Sequence, residues 1–165
     1  MSLSHAFSGE IEFEAKSTRR LLELVPDDRL DFKPHEKSMP LARLAGHTAE
    51  IPGWAATVCT QDLDIGGDYK PSLPTSAAEI VATFDKGVAA FRESVAGKTD
   101  AELAEIWTLR KGDKVVLQMP RAVALRSFVL SHMIHHRGQL SVYLRILGVA
   151  LPSIYGPTAD DSAGF

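Results

Sequence analysis

A chain of 165 residues is long enough for one domain that buries roughly 70% of its unfolded surface. Hydrophobic residues make up 45% and charged residues 24%, which excludes a disordered or collagen-like chain. The net charge of −3, with no basic stripe, argues against nucleic-acid binding, and no apolar run is long enough to span a membrane.

The first helical pattern runs from about Phe7 to Leu24. Phe7, Ile11, Ala15, Thr18, Leu22 and Val25 form its apolar face, with Glu10, Glu12, Glu14, Lys16, Arg19 and Arg20 mostly on the other sides. Pro26-Asp27-Asp28 ends it, and Arg29 to Met39 reads as an irregular connection. Ser38 and Pro40 open a second helix whose buried face holds Leu41, Leu44, Ala45, Thr48, Ile51, Ala55 and Val58. Pro52 should kink or interrupt it. His47, three after Leu44 and four before Ile51, belongs to the same face. Gln61 to Thr75, with Gly66-Gly67, Pro71 and Pro74, is a long connection.

Ser76-Ala-Ala-Glu79 has the form of a capping box and opens a third helix bearing Ile80, Phe84, Val88, Phe91 and Val95. Thr99 to Glu105 adds a short helical turn. Trp107 to Leu117, centred on Lys111-Gly-Asp113, reads as a hairpin that must lie against the helices. The last and longest helix runs from Pro120 to about Leu147, capped by Gly148. The tail, with Leu151, Pro152, Ile154 and Tyr155, is expected as an exposed apolar arm. Four long helical patterns and one hairpin point to an all-α four-helix bundle in a single domain, 1–165.

At 100° per residue, Leu125, Val129, His132, His136, Leu140, Tyr143 and Leu147 share one stripe of the last helix. His132 and His136 lie one turn apart, close enough to share a metal ion. His135 falls on the stripe's edge and is the weaker candidate. The alternative is a pair of neutral, hydrogen-bonded core histidines, although Met133 and Ile134 offer no acceptor. His47 adds a third imidazole from another helix, giving an open site with room for water or substrate. Glu50 is either an outer acceptor for His47 or a solvated helix charge. Methionine stands where a zincin carries its general-base glutamate, and the Glu-x-x-His pairs of ferritin-like di-metal sites are missing from the last helix.

Arg137 and Gln139 flank His136 and either orient a substrate or hold structure. Tyr143 reads as core packing, Trp54 and Trp107 as core or interface aromatics, and Cys59, the single cysteine, as a small buried residue. One cysteine precludes an internal disulfide. Met1 to Glu10 lacks a basic start and a long apolar run, so no signal peptide is expected and a cytoplasmic location follows.

Leu44-Ala-Gly-His-Thr-Ala-Glu50 and Ser131-His-Met-Ile-His-His-Arg-Gly-Gln-Leu140 resemble the two histidine segments of the DinB-like (DinB/YfiT-like) family. Leu24 to Met39 and Pro152 to Asp160 are similar to its first loop and terminal segment. The resemblance implies a four-helix bundle with a long crossover connection. It also implies one divalent metal, nickel or zinc, on His47, His132 and His136. It further implies a homodimer, and group transfer between a low-molecular-weight thiol and an electrophilic substrate. A metal-dependent hydrolase and a non-catalytic metal-binding stress-response module are the alternatives.

Overall fold

The computed structural model describes residues 2–67 and 71–162, so the middle of the Gln61–Thr75 connection and both chain ends lie outside the described residues. The protein is mostly helical with one small sheet. Helix α1 (Leu3–Leu22) is followed by a 3-10 turn at Asp27–Arg29. Helix α2 (Leu41–Glu50) breaks at Pro52 into a second 3-10 turn, Ile51–Gly53, and resumes as α3 (Trp54–Thr60). The proline has no N–H to continue the ladder, and Pro40 sits at the cap of α2 rather than inside its first turn.

Strand β1 (Leu63–Asp64) precedes helices α4 (Ala77–Val95) and α5 (Asp100–Ala104). Strands β2 (Ile106–Lys111) and β3 (Lys114–Pro120) form the expected hairpin, turning at Gly112, whose φ is +59°. β1 adds a third strand, parallel to β2, with Leu63 opposite Leu109. Two residues are too few for an alternating pattern, so this strand has no signature in the sequence.

The last helical run is continuous but not uniform. It comprises α6 (Arg121–Ala124), a seven-residue π-helix (Leu125–Ser131) and α7 (His132–Ile146), closed by Gly148 at φ +76°. The π turn alters the angular spacing assumed for the stripe. Met133 and Arg137 are consequently fully buried, while His132 sits half-buried at the edge.

Helix α1 packs on α4 and α7, and α2 packs on both as well. Their shared core includes Ile11, Leu22, Leu44, Ile51, Phe84 and Phe91, all fully buried. Each such side chain contributes about 1.5–3 kcal/mol. The backbones of α4 and the Pro52 turn come close: a Cβ at Gly87 would lie 3.1 Å from Gly53 N. A side chain there would require the turn to give by a few tenths of an ångström, so glycine favours the close approach of α4 to the α2–α3 break.

Three expectations need correction. Glu14 is buried, not on an outer side of α1, because it pairs with Arg137. The box at Ser76 is only half made: its hydroxyl accepts from Glu79 N, but the Glu79 carboxylate bonds Thr75 instead. The full capping box is at Thr99 and Glu102, and Glu102 is held at a pKa of about 2 mainly by the Thr99 N–H. The tail is not a loose arm. Leu151, Pro152 and Ser153 are buried, and the Tyr155 hydroxyl donates to Glu14 at 2.7 Å. Asp160 and Asp161 cap the tail's own N–H groups at Leu151 and Ser153, folding it back on itself.

Candidate metal centre

Helix α2 carries His47 and α7 carries His132 and His136, and the packing of these helices brings the three together. His136 Nε2 lies 2.9 Å from His132 Nε2, which is 3.4 Å from His47 Nε2. The metal-binding atoms of the three rings all fall within 4.8 Å of one another. The ring of the exposed His135 stands 4.9 Å from that of His136 but does not join the group.

The outer nitrogen of His136 has a partner that orients its ring. His136 Nδ1 is 2.7 Å from Gln139 Oε1, an acceptor, so Nδ1 carries the proton and Nε2 presents a lone pair toward His132. The Nε2 atoms of His136 and His132 face each other 2.9 Å apart, an arrangement that a cation satisfies by taking both lone pairs.

Electrostatics agree. Burial is the main cause lowering the pKa of all three histidines. His47 falls to about 4, with His136, Arg43 and His132 adding to the effect of burial. Gln139 opposes the fall at His136. All three rings are neutral at neutral pH, the state a metal requires. His47 Nδ1 is buried without a hydrogen-bond partner, Glu50 Oε2 being 4.0 Å away. The donor set of three neutral imidazoles fits zinc, nickel or another divalent transition ion.

Glu50 is neither a solvated charge nor in bonding range of His47. It lies 3.2 Å from Ser72 N and 3.8 Å from Arg43 Nη1. Tyr143 donates to the Met39 carbonyl, away from the histidines, and Cys59 is buried. Trp107 is wholly buried, its indole N–H on the Gln61 carbonyl. Arg137 faces α1, where its Nη1 reaches Glu14, Ser17 and Thr18.

A cavity of about 630 Å³ opens onto His47 and His132. Trp54 and Phe128 stack at 5.2 Å along its wall, joined by Leu63, Ile65 and Leu109, with Arg43 as the one cationic wall residue among those described. Sequence reading missed this wall, since it draws on four separate elements. One of its features does have a local signal: Arg43 precedes His47 by one turn. Gln139, which the sequence did single out beside His136, lies outside the wall and bonds the His136 ring.

The family model described as DinB family matches residues 1–164. The uncharacterized protein YrdA of Bacillus subtilis is 32% identical over 160 residues, covering 93% of this chain and 89% of that protein. The crystal structure of a DinB-like protein from Bacillus cereus is similar with a TM-score of 0.71 and 27% identity, over 92% of this chain and 97% of that one. A DinB-like protein from Bacillus subtilis, YjoA, gives a TM-score of 0.64 at 20% identity, over 87% and 92% of the two chains.

Proposed function

Because the chain belongs to the DinB family, we propose that it is a metal-dependent enzyme that joins a low-molecular-weight thiol to an electrophilic carbon. The carrying observation is the junction of three neutral, inward-facing imidazoles with an open, largely apolar cavity. A divalent ion, nickel or zinc, held on His47, His132 and His136 would supply a Lewis acid that lowers the pKa of a thiol admitted beside it.

The chain's own residues do the rest. Gln139 keeps the outer proton of His136 in place. The Trp54–Phe128 wall excludes water from the reacting sulfur and carbon. In the reaction the thiol loses its proton to solvent, a carbon–sulfur bond forms, and the leaving group departs with its bonding pair. No protein nucleophile is needed, in keeping with a single, buried cysteine.

Hydrolysis needs a base, and Asp64 is the only carboxylate among the described residues of the cavity wall. Its Oδ1 already accepts from Gly66 and Gly112 N–H groups, which lower its pKa. That favours transfer over hydrolysis, and an open cavity favours an enzyme over a closed binding module. The reading extends to a single four-helix-bundle domain with a crossover connection, working as a cytoplasmic homodimer. No helix among the described residues is long and apolar enough to cross a membrane.

The test incubates zinc- or nickel-loaded protein with an electrophile such as monobromobimane, with and without a panel of small thiols. Thiol-dependent consumption above the uncatalysed rate, lost in His132→Ala, is expected. Turnover without thiol would replace transfer by hydrolysis.

A further inference from the structure

The cavity joins two chemistries that one ligand must satisfy together. Its wall is largely apolar, with the Trp54 and Phe128 rings stacked at 5.2 Å and inclined by 29°, and Leu109 beside them. Both rings are half-buried. Such a surface suits a flat apolar body, because an aromatic ring placed on aromatic neighbours gains beyond its buried area.

The polar part of the wall is not symmetric in charge. Among the described residues of the wall, Arg43, on α2 one turn before His47, is the single cation and Asp64 the single carboxylate. Glu50 lies 3.8 Å from Arg43 Nη1 and 4.0 Å from His47 Nδ1 and offsets one positive charge, but it is not among the wall residues. Asp64 is committed to the backbone N–H groups of Gly66 and Gly112. Arg43 lines the same cavity as His47 and His132. A divalent ion on the histidines would bring two further positive charges beside the guanidinium, more than Glu50 alone balances, which favours an anion entering the cavity.

We propose that this cavity recognises a small aromatic anion, whose charged group sits at the Arg43 end beside the histidines and whose ring lies on the Trp54–Phe128–Leu109 wall. A volume near 630 Å³ falls within the usual range for small-molecule sites. The proposal rests on the reading above in taking this cavity as the substrate site, and it names the substrate class: an aromatic carboxylate, phenolate or thiolate.

Isothermal titration calorimetry with phenylacetate, acetate and phenylacetamide tests it, on zinc-loaded and metal-stripped full-length protein. Phenylacetate should bind at least about tenfold more tightly than either analogue in both forms, since acetate lacks the ring and the amide lacks the charge. Arg43→Met should bring phenylacetate and phenylacetamide within about twofold of each other, and Arg43→Lys should keep part of the gap. Phe128→Leu should narrow the gap to acetate, with far-UV circular dichroism checking that each variant is folded. Native protein that does not discriminate, or an Arg43→Met variant with the gap intact, overturns the proposal. If stripped protein discriminates but zinc does not bind, the metal-dependent transfer reading fails and this one stands. Thiol-dependent turnover without discrimination gives the reverse.

Discussion

His136 and Arg137 are neighbours on one helix, yet they serve polar clusters of opposite kinds. Arg137 enters a cluster in which its charge is matched by Glu14, although its Nη2 is buried without a hydrogen-bond partner. Its Nη1 is 2.7 Å from Glu14 Oε2 and 2.7 Å from Ser17 Oγ, its guanidinium lies 4.8 Å from the Tyr155 ring centroid, and Tyr155 closes on Glu14. His136 enters a cluster of three imidazoles whose inner nitrogens converge with no opposite charge beside them among the described residues. A cluster whose charges pair within the chain is structural, whereas converging neutral imidazoles form a donor set that could hold a cation. Burial alone does not separate the two, since both residues are buried.

The contrast breaks if losing a histidine unfolds the protein or losing Arg137 strips its metal. One ligand of three should carry about a third of a zinc binding free energy near 10–16 kcal/mol, so His47→Ala or His136→Ala should weaken zinc on the order of a thousandfold. His135→Ala should leave the affinity unchanged in the same competition titration, and equal loss there would overturn the ligand set.

Arg137→Met should instead cost roughly 3–5 kcal/mol in urea unfolding of metal-free protein, because it leaves the Glu14 charge buried and unpaired. Glu14→Leu with Arg137→Met should recover much of that loss. A single Arg137→Met variant of native stability would show the cluster to be dispensable.

Acid sharpens the comparison further. His47 is neutral when folded, with a pKa of about 4, against an ordinary value of 6.5. The unfolded chain therefore takes up its proton first as pH falls. The stability linked to neutral His47 is fully present above pH 6.5 and is lost progressively down to about pH 4, amounting to roughly 3 kcal/mol. His47→Ala should flatten that limb in denaturation of metal-stripped protein between pH 4 and 7.

The smallest effect expected is at Gln139. Gln139→Ala frees His136 Nδ1 and should reduce zinc affinity about 10–100-fold, as loss of an outer partner does. Gln139→Glu, which restores an acceptor, should recover it, and nitrogen chemical shifts of the His136 ring should report the tautomer directly.

The periodic features were legible because their cause is local. The break at Pro52, the hairpin at Gly112, the cap at Gly148 and the pairing of His132 with His136 are set by nearby residues, whereas His47 reaches them from 85 residues away and was legible only as a histidine on another apolar face. Glu14 was not legible, because its partner is 123 residues away and an isolated glutamate on α1 reads as solvated. Tyr155 reaches Glu14 across 141 residues, so the tail's closure was hidden in the same way. The cavity wall combines α2, α3, the sheet and the π-helix, and no spacing rule spans such a set.

The π-helix from Leu125 to Ser131 ends where His132 begins. A π segment holds more residues per turn than the α-helix around it, so it works as a phase shifter between two lengths of one rod. Within it, Phe128 is timed to meet Trp54 and Trp107; downstream, His132 and His136 are timed to meet His47. Deleting one residue of the segment between Phe128 and His132, for example the exposed Ser131, would return the rod to a single phase. One half would then turn by about 100° against the other, and aromatic wall and histidines could no longer address the same space. The length of this helix is therefore under a constraint as strict as the identity of its histidines.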